Sequence, residues 1–169
     1  MDKQLRVGVL MGGMSTERAI SLKSGKAVLS ALQERGWNAV GIDMGPDLAK
    51  RLDEEGIQVA WLALHGQFGE DGCVQGLLEI MRIPYTGSAV RACAISMDKI
   101  ATKRALAHDD RVVLARDVVV SQGDPSPSDL HFPVVVKPNI GGSTVGMHKA
   151  DSAADLDAAL AAAFERDPC

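Results

Sequence analysis

The residues best suited to chemistry lie between Phe132 and Lys149. Val134 to Val136 are three β-branched residues in a row, a short buried strand. Lys137 ends it, Pro138 stops the ladder from simply continuing, and Gly141, Gly142, Ser143 and Thr144 follow, with Gly146 before the chain extends again. Small residues of this kind let successive backbone N–H groups face an anion, and a lysine at a fixed strand end adds a point charge. Phosphate is the natural ligand. A plain β-hairpin with a glycine turn and a surface lysine fits the same stretch. It is not a Walker A loop, because no Gly-Lys-Ser/Thr stands in the required place.

Three further positions are candidates. Glu17 follows the Gly12-Gly13 turn, where its carboxylate can bind a substrate ammonium or can serve only as an acid favoured by a helix N-terminus. His65 closes an apolar segment beside glycines and two acids, as a site residue or a structural hydrogen-bonding one. Lys99 follows Met97-Asp98 and by itself reads as a surface lysine. Glu70 and Asp71 can be imagined as metal ligands, but Asp71-Gly72 is a turn signature. His108, His131 and His148 read as surface or loop histidines, and the cysteines as core or incidental.

The elements that position these groups alternate. Strands are expected over Leu5–Leu10, Trp37–Ile42 and Val59–Leu64, the last apolar throughout and therefore central. Between them, helical spacing of Ala27, Val28, Ala31 and Leu32 predicts a helix stopping at Gly36, and a short helix runs from Asp47 to Glu55. Val74–Met81 is a helix, Ile83–Gly87 a short extended piece, and Ser88 begins a helix reaching Met97. Such alternation predicts an α/β fold, a Rossmann-like parallel sheet with helices on both faces, with ligands outside the carboxyl ends of the strands. Near Lys99 the pattern changes. A charged helix over Asp98–His108 precedes a strand over Val112–Val120, a Pro/Gly/Ser loop from Gln122 to Asp129, the hairpin, and a helix over Ser152–Arg166 with a capping box of Ser152 and Asp155. The domains expected are 1–98 and 99–169, the second an incomplete α+β unit.

The chain has 169 residues, 46% of them hydrophobic, and a net charge of −4 from 18 basic and 22 acidic side chains. That balance argues against nucleic acid and leaves room for a small anion held locally. Cys73, Cys93 and Cys169 suit neither a disulfide framework nor a zinc site, so a reducing cytoplasm is expected. No apolar run suggests a signal peptide or a membrane span.

Taken together, the motifs resemble one family. They are Gly12-Gly13-Met14-Ser15-Thr16-Glu17-Arg18 with Ser21 to Gly25, Leu64-His65-Gly66-Gln67-Phe68-Gly69-Glu70-Asp71-Gly72, Ile83-Pro84-Tyr85-Thr86-Gly87-Ser88, Met97-Asp98-Lys99, and Val136-Lys137-Pro138 with Gly142-Ser143-Thr144-Val145-Gly146. In this order they look like D-alanine–D-alanine ligase, a member of the ATP-grasp enzymes. The resemblance implies that ATP phosphorylates one D-alanine and the amine of a second attacks the acyl phosphate, making a peptidoglycan precursor. It implies Glu17 as anchor of the first D-alanine and His65 beside that substrate. It implies Lys99 and Lys137 on ATP phosphates, with Gly142, Ser143 and Thr144 in the loop over them and Ser143 in the active-site hydrogen-bond network. It also implies Mg2+ or Mn2+ for the complete enzyme, no metal ligand in this chain, a cytoplasmic protein, and a homodimer formed through the amino-terminal domain.

There are departures. Gly141 stands where many members carry a charge, Thr144 where a second serine is usual, and Arg111–Ala115 replaces an expected Gly- and Pro-containing connection. Members of the family are much longer. The chain is thus expected to be the amino-terminal part of a ligase, inactive alone, or else a natural short relative that only binds ligand. Another ATP-grasp ligase acting on a different carboxylate is a third reading. The motifs do not distinguish D-alanine from D-lactate as second substrate.

Overall fold

The structure, a computed structural model, describes residues 3–167; Cys169 lies outside them. The chain divides into two compact units, Met1–Ala94 and Ile95–Cys169.

The first unit is built on β1 (Val7–Gly12), every residue of which is buried. Parallel strands β2 (Ala39–Met44) and β3 (Val59–Leu62) flank it, giving the order β2-β1-β3. Alternate β1 side chains serve opposite faces, as the period of two requires. Val9 and Met11 meet Leu22, Val28, Leu29 and Leu32 of α1 (Arg18–Glu34). Leu10 joins a larger core with Leu48 and Leu52 of α2 (Leu48–Glu54) and Val74 and Leu78 of α3 (Cys73–Ile80). Helices therefore cover both faces, as the alternation predicts. Two small residues bring α1 close to the sheet. Ser21 is fully buried and donates to the Ala63 carbonyl at 2.7 Å, and a side chain at Gly25 would begin 2.4 Å from Met11 Cβ.

Several expectations need correction. The central strand is β1, not β3. On its outer side β3 has a single bridge, Ala60 to Tyr85, and Trp61 is 39% exposed. A short apolar run does not distinguish a central strand from one covered by a neighbouring segment. Here the cover is Pro84–Thr86: Ala60 N–H donates to Pro84, Thr86 N–H to Ala60, and Leu62 N–H to the Thr86 hydroxyl. Strands β1 and β2 also begin two residues later than expected and pair as far as Gly12 and Met44. Ala27 and Ala31 face solvent; the α1 core face runs through Leu22, Leu29 and Leu32 instead.

A helix α4 (Val90–Met97) runs across the division, and the second unit continues with α5 (Lys99–Leu106), where the Asp98 carboxylate caps the Ala101 N–H at 2.8 Å. Antiparallel strands β4 (Val134–Val136) and β5 (His148–Ala150) form the expected hairpin. Helix α6 (Ala153–Phe164) packs Leu156, Ala159 and Leu160 on Val134, Val136 and Ala150, and its capping box of Ser152 and Asp155 is present. Residues 112–120 form no strand, contrary to expectation. Their valines supply β-propensity, but a strand also needs a ladder partner, and none stands beside them among the described residues. Val113 is 96% exposed. The segment is instead held by Lys103, whose ammonium donates to the Ala115 carbonyl and the Asp117 carboxylate.

Candidate functional site

In the first unit the loops after β1 and β3 are tied together at the carboxyl ends of their strands. The Ser15 hydroxyl donates to the His65 carbonyl at 2.7 Å and accepts from the Glu17 N–H at 3.2 Å. Glu17 is the N-cap of α1, but its side chain makes no capping bond there. The carboxylate turns instead toward the second loop, where a side chain on Gly66 would begin 2.8 Å from Oε2. Gly66 has φ +69°, a region that disfavours any residue with a Cβ. This glycine therefore makes the space in which Glu17 lies.

His65 is half-buried beside the same loops. Its Nε2 lies 3.3 Å from the Ser24 hydroxyl, and its Nδ1 3.8 Å from Glu70 Oε1. The other Glu70 oxygen accepts from the Gly66 N–H at 2.7 Å. Asp71 accepts from the N–H groups of Phe68 and Cys73, so it does turn chemistry. The neighbouring Asp71 pushes the exposed Cys73 thiol above its ordinary pKa, with burial adding to the effect. Cys93 is buried and donates to the Ser88 carbonyl.

Sequence reasoning gave no role to the pair that fixes the first loop. Arg18 donates two hydrogen bonds to the Asp43 carboxylate, at 2.5 and 2.6 Å, and a third to the Gly13 carbonyl at 3.1 Å. Arg51 binds the Asp43 carbonyl at 2.6 Å. The residue next to Glu17 is thereby anchored to the end of β2. Asp43 is held below its ordinary pKa, chiefly by the Arg18 hydrogen bonds against some desolvation. A carboxyl with a depressed folded pKa stabilises fully above its unfolded pKa. That stability is lost as pH falls through the unfolded and then the folded value. Asp43→Asn should therefore lower the melting temperature at neutral pH and flatten its fall on acidification below the ordinary carboxylate range. An acid limb identical to the parent's would show that the pair contributes nothing.

Gly66→Ala gives a second expectation. The left-handed backbone and the contact with Glu17 should together cost about 1–2 kcal/mol or more. Chemical denaturation measures it, and an unchanged midpoint would mean that the loop does not hold this conformation.

In the second unit Lys99 and the chain after Lys137 are bound to each other. Lys99 donates through its ammonium to the carbonyls of Asn139, at 3.1 Å, and Gly141, at 2.9 Å. Its backbone N–H also reaches the Asn139 carbonyl, at 3.3 Å. The Asn139 side chain accepts from the Ile100 N–H at 2.9 Å and bonds the Asp98 carboxylate. Burial pushes the Lys99 pKa down and the Lys137 charge adds to this, while Asp167 and Asp98 act the other way. The Lys137 charge is thus near enough to act on Lys99, and two neighbouring cations suit a polyanion. Lys137 itself is exposed.

Beyond it the loop has Gly141, Gly142 and Gly146 as expected. Its unusual backbone, however, also includes Ser143 at φ +52° and Thr144 at φ +60°. Left-handed conformations of non-glycine residues cost energy and cluster at ligand clamps. The Val145 N–H bonds Gly142, the Met147 N–H bonds Thr144, and the Thr144 hydroxyl turns back to the Ser143 carbonyl at 2.6 Å.

A parallel sheet with loops tied together at the carboxyl ends of its strands, followed by a hairpin carrying a lysine and a strained glycine loop, defines an α/β unit joined to an α+β unit. The comparisons narrow this. Family models described as D-ala D-ala ligase N-terminus and D-ala D-ala ligase C-terminus match residues 45–88 and 124–169. The D-alanine–D-alanine ligase of Citrifermentans bemidjiense is 50% identical over 165 residues, which is 98% of this chain and 54% of that protein. The crystal structure of the Bacillus anthracis D-alanine–D-alanine ligase shares 36% identity with a TM-score of 0.85, over 97% of this chain and 55% of that one. The same enzyme complexed with ATP gives 34% identity and a TM-score of 0.83, over 97% and 56%. The chain belongs to the D-alanine–D-alanine ligase family, and its fold is that of these ATP-grasp enzymes. It spans about half the length of the curated relatives it matches.

Proposed function

We propose that this chain is the first-substrate half, and one wall of the ATP site, of an ATP-dependent, ADP-forming D-alanine–D-alanine ligase. The observation that carries the proposal is its identity to ligases along almost its whole length. The domain division proposed is a substrate-binding domain over 1–98 and the first part of an ATP-grasp domain over 99–169.

The role proposed for each group is the one the family resemblance implies, and its surroundings are compatible with it. Glu17 offers an anionic partner for the ammonium of the first D-alanine, in the space that Gly66 leaves. His65, oriented by Ser24 and Glu70, lies beside that substrate. Lys99 and Lys137 place positive charge on ATP phosphates, where charge moves during transfer. Gly142, Ser143 and Thr144 close over the phosphates, and Ser143 adds a hydroxyl to the active-site network. The D-alanine carboxylate oxygen attacks the γ-phosphorus, ADP leaves, and an acyl phosphate results. The amine of a second D-alanine attacks the acyl carbon, phosphate leaves with the bridging oxygen, and a proton is lost from nitrogen.

The described residues do not fit a metal centre, since no group of three or more His, Cys, Asp or Glu converges. The Mg2+ or Mn2+ of the complete enzyme is assigned to other residues, and no step here passes through it. A homodimer formed through the amino-terminal domain and a cytoplasmic location complete the proposal, with neither nucleic acid nor membrane as partner. Among the described residues no helix is long and apolar enough to cross a membrane.

The test is ADP release by the full-length protein that carries these residues, with D-alanine, D-lactate and other small carboxylates supplied in turn. D-alanine-dependent ADP release with formation of the dipeptide is expected. Release only with another acid would move the protein to a different ATP-grasp ligase, and no release with any acid would favour a binding protein.

A further inference from the structure

A buried acid stands just past the end of α6. Asp167 is only 9% exposed and lies just past the helix's carboxyl end, where the dipole disfavours negative charge. Its side chain instead reaches 27 residues back, and Oδ2 accepts from the Ile140 N–H at 2.7 Å. That N–H belongs to the same peptide group as the Asn139 carbonyl, which receives both the Lys99 ammonium and the Lys99 backbone N–H. The peptide group is thus gripped at both ends, by an anion on its N–H and a cation on its oxygen.

We infer that Asp167 is a positioning residue for Lys99, acting through the peptide group that joins Asn139 to Ile140. The inference rests on the reading of Lys99 as a phosphate contact. A carboxylate on an amide N–H polarises the amide and makes its oxygen a better acceptor. It also fixes the rotation of that peptide plane. The carbonyls of Asn139 and Gly141 then converge on one point, where the ammonium sits. The Asp167 charge also acts on Lys99 directly, opposing the loss of its proton caused by burial and by Lys137. Without Asp167 the peptide is held only at its oxygen, and the direction of the remaining Lys99 donor is less well fixed.

Steady-state kinetics of the full-length protein test this, with ATP and D-alanine varied separately. Asp167→Ala should raise KM for ATP about tenfold and KM for the first D-alanine less than about twofold. Asp167→Asn keeps an oxygen for the Ile140 N–H and should show a smaller rise, about threefold. Lys99→Ala should raise KM for ATP, and adding Asp167→Ala to it should cost little more, because the second residue acts through the first. If Lys99→Ala leaves KM for ATP unchanged, the phosphate reading of Lys99 is wrong and the inference falls with it. If Lys99→Ala raises it and Asp167→Ala does not, the inference alone is overturned. Equal losses for both substrates that track a lower melting temperature would also overturn it, by making Asp167 merely structural. Should Asp167→Ala fail to fold, the Asn variant decides, and an unchanged KM for ATP counts against the inference.

Discussion

Glu17→Gln in the full-length protein lowers kcat/KM for the first D-alanine by at least about tenfold, with a much smaller effect on ATP. The variant keeps shape and some hydrogen bonding but removes the charge. Glu17 makes no side-chain capping hydrogen bond on α1. If it only complemented the helix dipole, its loss would cost about 0.3–1 kcal/mol of stability and nothing in catalysis. In the proposed role the substrate ammonium loses its anionic partner, and the carboxylate to be phosphorylated is no longer held in one orientation. The measurement varies each substrate in turn. Equal losses for ATP and D-alanine, or a loss explained by a lower melting temperature, would remove Glu17 from the site.

Lys137→Ala acts on the other substrate. A charge-assisted contact to phosphate contributes about 1.5–3 kcal/mol, which is roughly ten- to a hundred-fold in the nucleotide term. Lys137 is exposed at the end of β4, and Pro138 after it is buried, so the variant should fold normally. ATP binding should weaken and phosphoryl transfer slow, while the melting temperature stays close to the parent's. Kinetics unchanged within about twofold would leave Lys137 a surface residue on a hairpin.

Much of the fold was legible because periodicity and turn chemistry are local. The helices around Val28, Leu52 and Leu78, the hairpin at Val134–Val136 and the cap at Ser152 all follow from neighbours in sequence. Strand order is not local. Apolar Val59–Leu64 looks central by composition, yet the strand ends at Leu62, β1 takes the central place and Tyr85 covers the far side of β3 by one bridge. Residues 112–120 carry the valines of a strand but have no partner among the described residues.

The site divides in the same way. Glu17, His65 and Lys137 stand out because an ionisable group near glycines at a strand end is visible in one dimension, whereas Lys99 by itself reads as a surface lysine and gains a role only through the family resemblance. The groups that hold these residues are not visible in that way. Asp43 meets Arg18 from 25 residues away, Ser24 meets His65 from 41, and Asp167 meets Ile140 from 27. Gly141, Gly142 and Gly146 mark the loop in the sequence. The structure adds Ser143 and Thr144 in a backbone region that residues with a Cβ avoid.

The central claim is that the first D-alanine is activated as an acyl phosphate, and transfer of oxygen tests it most directly. The full-length protein is supplied with ATP and D-alanine carrying heavy oxygen in its carboxylate. Each turnover should deliver one labelled oxygen to inorganic phosphate, because the bridging oxygen leaves with phosphorus when the second amine attacks. Phosphate free of label, or label appearing in AMP, would contradict the account.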